Sequence, residues 1–297
     1  MRIGYIGFGE ASYEMACGLK QEGLINIYAY DVKQDDKVYG LQINDRIKKS
    51  KVTKTDSYES LIEKVNIVFV AVPASNAYEV SENIKEIVKK DMLYVDLSAS
   101  SPDNKKRIFE NLVGTGVGFV DAAMLGALTI YKHKVPIIAS GCGAKRFCDE
   151  MSKFGMNIKV TSNNPGDASA IKLIRSIYIK GTASLLFETL EAAYHFGVAQ
   201  QVIDSIAYTM EDTSFSETIN RLVTGTSVHA QRRYTELCDA TKMLNNAGIQ
   251  SDMSDASIKK HKRLIEMNLD SVFQGRVPRN WKDVIAFITK NEKKSSY

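Results

Sequence analysis

The sequence predicts an α/β protein. A doubly wound, mostly parallel sheet is followed by an all-α C-terminal domain, and a long interdomain helix joins the two. Two observations carry this expectation. Short apolar runs alternate with amphipathic stretches through the first half, the pattern of strand–helix–strand units. Beyond about residue 162 the strand-like runs stop and only helix-period patterns remain. The turn-forming "SNNPGD" marks the change, so domains are expected over 1–164 and 165–297.

The strand-like runs are 2–6, 26–31, 65–72, 93–97, 118–123, 135–140 and 158–161. Several are apolar almost throughout, as "NIVFVAV" is, which suits strands buried on both faces of a parallel sheet. Between them, "SNAYEVSENIKEIVKK" places Tyr78, Ile84, Ile87 and Val88 at helical spacing. Pro102 sits where a helix starts, a position at which its missing N–H costs nothing. In the second half, "ASAIKLIRSIYIKGTASLLFETLEAAYHFG" reads as one long helix, interrupted only by Gly181 and ended by Gly197. It is apolar on most faces, so burial between domains or subunits is expected. Further helices are expected over 200–210, 215–223, 229–246, 254–267 and 281–291, with a frayed tail "NEKKSSY".

The chain begins with strand, "GFGEAS", helix. This is nearly the glycine-rich turn that holds a dinucleotide pyrophosphate, and it stands where a Rossmann-type domain requires it. Gly7 makes the tight turn, and Gly9 leaves room for backbone approach at the helix N-terminus. Phe8, Glu10 and Ala11 complete the cradle. Ser12 replaces the third glycine and is small enough for helix–strand packing. Glu10, in the first helical turn, is favourable to the helix dipole and points outward. Asp31 ends the second strand-like run, placed to accept hydrogen bonds from the adenosine ribose and to repel a 2′-phosphate. NAD is therefore expected over NADP, which nearby Lys33 keeps open. Val72 and Pro73, closing the third run, complete the expected cofactor contacts.

Two stretches of the chain suggest chemistry. In "DAAMLGALTIYKHK" a strand runs into the small-residue loop Leu125–Gly126–Ala127, whose backbone N–H groups suit a carboxylate, or which serves simply as a turn. At the head of the long helix, Lys172 lies among Ala170, Ile171, Leu173 and Ile174. Desolvation of an unpaired lysine lowers its pKa and makes it a usable base near neutral pH. Lys172, Arg175 and Ser176 share one helix face, which is either a site or a solvent edge. His133 and His261 fall in basic segments and are expected to be exposed.

Composition narrows the classes. The 297 residues carry a net charge of +4 with basic and acidic residues interleaved, so nucleic-acid binding is not expected. The four cysteines form no C-x-x-C pair, so no metal site is expected and a reduced, cytoplasmic protein is. No window approaches the ~18 apolar residues of a membrane span, and the start lacks a signal-peptide pattern.

Taken in order, "IGFGEAS", "VDLSASSP", "DAAMLGA" and "GDASAIKLIRSIYIKG" resemble the β-hydroxyacid dehydrogenases, the superfamily of 6-phosphogluconate and 3-hydroxyisobutyrate dehydrogenases. The resemblance covers essentially the whole chain. It is nearest to a 6-phosphogluconate dehydrogenase-like branch with a similar G-F-G-E loop, an R-S-x-x-x-K-G run and a later H-A-x-R-R, here "HAQRR". It implies a nicotinamide-dependent dehydrogenase acting on a small β-hydroxy acid or related hydroxylated anion. Lys172 falls on the family's general acid/base, and Ser176 on an asparagine four residues later. The substrate loop, usually Ser-Gly-Gly, falls on Leu125–Gly126–Ala127, which loses a hydroxyl contact. Ser98 falls at the nicotinamide and substrate edge. His229, Arg232 and Arg233, with Arg175, become candidates for an anionic substrate group, because arginine forks match carboxylate or phosphate. The departures at Leu125 and Ser176 argue against authentic 6-phosphogluconate dehydrogenase. Members of this family pair through their helical domains, so a homodimer is expected. The alternatives are an imine reductase-like enzyme, which usually replaces the lysine, and a non-catalytic dinucleotide sensor, which has no need of it.

Overall fold

A computed structural model describes residues 1–295. The chain divides into two compact units, Met1–Ile177 and the remainder from Tyr178 onward.

In the first unit, strands β1 (Ile3–Ile6), β2 (Ile27–Tyr30), β3 (Thr53–Lys54), β4 (Ile67–Val70), β5 (Leu93–Asp96), β6 (Gly118–Met124), β7 (Ile137–Ser140) and β8 (Ile158–Ser162) form one sheet in the order β3-β2-β1-β4-β5-β6-β7-β8. Every pairing is parallel except β6 with β7. The chain starts in the middle of the sheet and winds outward both ways. The strand order therefore reverses between β1 and β4, where open α/β sheets bind ligands beyond the carboxyl ends of their strands. The helices are α1 (Glu10–Gln21), α2 (Gly40–Ser50), α3 (Tyr58–Lys64), α4 (Ala77–Ile84), α5 (Pro102–Leu112), α6 (Leu128–Tyr131) and α7 (Ala144–Met151).

Side chains alternate along each strand, so the sheet feeds two cores. Tyr5, Phe69 and Val95 pack with Met15, Leu19, Ile47 and Phe147 in one. Ile6, Val70 and Tyr94 pack with Leu61, Val80, Ile84 and Ile108 in the other. All seven expected strands form, within one or two residues at most ends. The two-residue β3 and seven-residue α3 escape sequence reading because neither is long enough to display a period. The α4 pattern continues to Val88 in sequence, yet the α-helix stops at Ile84. His133 corrects an expectation of exposure: only 3 % of its surface is accessible, because it packs directly on Gly18, which has no side chain to keep it out.

The long helix α8 runs from Asp167 to His195. Its large apolar side chains are exposed in the single chain, while Ala168 and Ala193 are buried. Ile177, Phe187 and Tyr194 are 75 %, 80 % and 84 % exposed in the single chain. The second unit continues with α9 (Ala199–Glu211), α10 (Phe215–Asn246), α11 (Asp252–Glu266), α12 (Leu269–Val272) and α13 (Trp281–Ser295). α10 replaces the two helices expected over 215–223 and 229–246; it is continuous but kinked at His229, whose φ −105° and ψ 22° are not helical. Ser214 and Glu217 start it with a reciprocal capping box. Glu188 caps α11 by accepting the N–H groups of Met253 (2.7 Å) and Ser254 (2.9 Å). Of the tail expected to fray, residues 291–295 continue α13, and residues 296–297 lie outside the described residues.

Candidate active site

The glycine turn between β1 and α1 is built as a cradle. Gly7 has φ +83°, and a Cβ there would lie 2.6 Å from the carbonyl of Ala71, so the turn requires glycine. Gly9 is the N-cap of α1, no side chain caps the helix, and a Cβ on Gly9 would meet no protein atom within 4 Å. Open space over uncapped N–H groups is what a pyrophosphate needs. Ser12 does more than fill the third glycine position. Fully buried, its hydroxyl donates to the Gly7 carbonyl at 2.6 Å and clamps the turn. Glu10 is exposed, as expected of an outward carboxylate. Phe8 is wholly buried and packs edge-on against Tyr5.

Asp31 is tied to this cradle. Its Oδ2 accepts the N–H of Phe8 at 2.7 Å, and its Oδ1 accepts that of Lys33 at 2.9 Å. The carboxylate thus fixes the glycine loop and keeps lone pairs for a ribose. One groove is lined by Gly7, Gly9, Asp31, Val72 and Pro73 together with Lys33, Tyr39 and Arg46. Tyr39 and Arg46 lie in a stretch that offered no motif, and only the fold brings them to the cradle. The ammonium of Lys33 stands 4.5 Å over the Tyr39 ring. These residues fit a dinucleotide, with cations flanking the Asp31 side of the groove.

The second centre lies at the carboxyl end of β5 and the middle of β6. Lys105, on α5, is completely buried, its ammonium 2.9 Å from Asp96 Oδ2 and 3.6 Å from Asp121 Oδ1. It also donates to the carbonyls of Asp96 (3.1 Å) and Ser98 (2.8 Å) and to the Ser98 hydroxyl (3.3 Å). Asp121 in turn receives the start of α8, through the N–H of Ser169 at 2.9 Å and its hydroxyl at 2.7 Å. Ser140 supports the same end, accepting the N–H of Ala168 at 3.1 Å. Gly166, with φ +93°, lets the preceding turn close on the Pro102 carbonyl, 2.8 Å from where a Cβ would stand.

Lys172 follows Ser169 by one turn and is half-buried. Burial, then the neighbouring Lys105 ammonium, draws its pKa below the ordinary lysine value, and Asp121 opposes them. Ser176 is half-buried on the same face, while Arg175 is exposed. Gly126 and Ala127 are exposed ahead of α6, and the Leu125 N–H is committed to the Pro136 carbonyl at 2.8 Å. Ser98 is 95 % buried, its N–H bonded to Asp96 Oδ1 at 2.8 Å.

His229, Arg232 and Arg233 lie on α10 in the second unit. Arg232 is exposed and pairs with Glu236 at 3.2 Å, four residues on. Arg233 reaches back across the kink to the Thr226 hydroxyl, beside Gly225. Lys105, Asp96, Asp121 and Ser169 were missed in the sequence. The signal available was an aspartate breaking each of two otherwise apolar strand runs, "LYVDL" and "FVDAAM".

A glycine cradle at the switch point of a parallel sheet, followed by a helical region, defines a Rossmann-type nicotinamide-dependent oxidoreductase architecture. Residues 2–153 match the family model of the NAD binding domain of 6-phosphogluconate dehydrogenase, and the chain belongs to that family. Residues 193–264 match a domain of unknown function, DUF1932. The solved structure of conserved protein MTH1747, described as structurally similar to 3-hydroxyacid dehydrogenases, is 31 % identical over 93 % of this chain and all of its own, with TM-score 0.63. An uncharacterized 28.5 kDa protein of Methanothermus fervidus is 28 % identical, covering 90 % of this chain and all of the relative. The imine reductase BcSIRED of Bacillus cereus BAG3X2 shares the fold, with TM-score 0.72 over 93 % of this chain and 99 % of its own, at 14 % identity.

Proposed function

We propose that this chain transfers a hydride between a nicotinamide cofactor and a small β-hydroxy acid or related hydroxylated anion, with Lys172 as general acid/base. The observation that carries the reading is the setting of Lys172: half-buried, one turn past an anchored helix start, with a depressed pKa. A base working near neutral pH needs such a setting. When bound, the nicotinamide supplies the hydride acceptor or donor at its C4. The backbone N–H groups at Gly9–Ala11 hold the pyrophosphate, and Asp31 holds the ribose. Neutral Lys172 Nζ takes the hydroxyl proton as the carbinol carbon becomes a carbonyl. In reverse, its ammonium returns that proton to the carbonyl oxygen. Ser176 orients the substrate hydroxyl, and Ser98 with the Gly126–Ala127 backbone borders the substrate.

NAD is the preferred cofactor because of the Asp31 carboxylate; Lys33 and Arg46 beside it are the features that favour NADP. The protein acts as a homodimer in the cytoplasm.

A spectrophotometric screen for reduced cofactor, with NAD and NADP over hydroxy acids and sugar acids, tests the reading. Turnover of hydroxy acids that Lys172→Ala abolishes, with cofactor binding retained, is the expected result. Reduction of cyclic imines with no hydroxy-acid activity makes it an imine reductase. Cofactor binding without any turnover makes it a sensor.

A further inference from the structure

We propose that the ring of Tyr39 is the platform on which the cofactor's adenine stacks, a role that rests on the dinucleotide reading of the groove and not on Lys172.

The groove over the glycine cradle is polar in one part of its lining and apolar in another. The uncapped N–H groups of α1 and the Asp31 carboxylate suit pyrophosphate and ribose. Val32, Tyr39, Ile43 and Val80 line the same cavity of about 440 Å³ and offer it almost nothing but apolar surface. Ile43 and Val80 are buried in the fold, whereas Val32 and Tyr39 are 65 % and 52 % exposed. Large side chains left open in a ligand groove call for an apolar occupant, and in a dinucleotide the adenine is the flat apolar part. The adenine is bonded to the ribose assigned to Asp31, so it must lie beside that residue. Val32 and Lys33 follow Asp31 directly, and Tyr39 is the aromatic ring they share the groove with.

The backbone holds Tyr39 in place and leaves the ring free to bind. Asp36 Oδ1 accepts the N–H groups of Val38 (2.7 Å) and Tyr39 (2.9 Å). Gly40 follows with no room for a side chain, since a Cβ there would stand 2.7 Å from the Gln34 carbonyl. Asn44 closes the turn by donating to the carbonyls of Gln34 (2.6 Å) and Gly40 (2.8 Å). Buried Gln34 is tied in turn to the Thr55 carbonyl at 3.1 Å. A ring presented from so braced a turn loses little freedom when a ligand binds. The Lys33 ammonium, 4.5 Å from the ring centroid, adds a cation–π contact that steadies it. Adenine is common to NAD and NADP, so a platform serves both alike. Holding Lys33 for a 2′-phosphate would matter to NADP alone, and the two roles therefore separate.

The test is calorimetric binding of ADP-ribose, NAD and NADP to the full-length protein and its variants. Tyr39→Leu is expected to weaken all three by about tenfold, the loss of one base–aromatic stack. Tyr39→Phe keeps the ring and should stay within twofold of wild type. Losses under threefold for Tyr39→Leu overturn the proposal, as does a loss confined to NADP. An equal loss in Tyr39→Phe overturns it too, because the hydroxyl and not the ring would then make the contact. So does a wild-type protein that does not bind ADP-ribose. If Tyr39→Leu does not fold, Tyr39→Gln decides by the same measure. ADP-ribose has no nicotinamide, so the result is independent of what the protein oxidises. The expected losses without any hydroxy-acid turnover leave the platform standing and overturn the role of Lys172. Hydroxy-acid turnover with affinities indifferent to Tyr39 does the reverse.

Discussion

The ammonium of Lys105 lies 2.9 Å from Asp96 Oδ2, and neither side chain exposes any surface to solvent. Truncating one partner of such a pair strands the other charge in a low-dielectric interior. Lys105→Ala is expected to lower the unfolding free energy by about 3–5 kcal/mol in urea titration. Lys106→Ala serves as the contrast: its ammonium is exposed and 3.7 Å from exposed Asp103, so its effect should stay within about 0.5 kcal/mol.

Gly9 and Gly7 should separate binding from folding. A Cβ on Gly9 meets nothing in the protein, so Gly9→Val should leave the melting temperature unchanged and weaken NAD binding at least tenfold by calorimetry. Glu10→Ala should change affinity less than threefold, since its side chain points to solvent. Gly7→Ala has no room and a positive φ, so it should lower the melting temperature even without cofactor.

Because its pKa is depressed, Lys172 loses its proton at lower pH than an ordinary lysine. The kcat/KM for oxidation should therefore rise as pH increases through that pKa, below the usual ~10.4, and then level. Lys172→Ala should abolish the rise along with turnover, while a thermal shift with NAD persists.

Burial lowers the pKa of His133, and Glu22, 3.5 Å away, opposes this only in part. The folded state therefore binds this proton less readily than the unfolded chain. Stability is fully present above the unfolded pKa of about 6.5 and falls as pH drops through the folded value. His133→Asn should flatten the acid side of a melting-temperature series against pH.

Phe187, Tyr194 and Tyr208 are each at least 80 % exposed on α8 and α9. Exposed large apolar side chains of this kind fit the proposed homodimer. Sedimentation should give a dimer at micromolar concentration, and Phe187→Glu should shift it toward monomer.

The sheet and the cradle were legible because their signals are local. An apolar run such as "NIVFV" makes a doubly covered strand wherever it falls, and "GFGEAS" between strand and helix specifies its own turn. Lys172 also stood out, as a charge flanked by Ala170, Ile171, Leu173 and Ile174. Lys105 did not, because in "DNKKRIF" it is indistinguishable from the solvated lysine beside it. His133 misled for the same reason, since the absent side chains of distant Gly18 and Gly155 make room for it. The sequence by itself determined most of the elements, their order and the cofactor turn, each encoded by neighbours a few residues apart. Only the tertiary structure decided which charges are buried together, because Asp96, Lys105, Asp121 and Ser169 come from four different elements or their ends and meet only when the sheet closes. Desolvation, rather than residue type, sets what Lys172 can do.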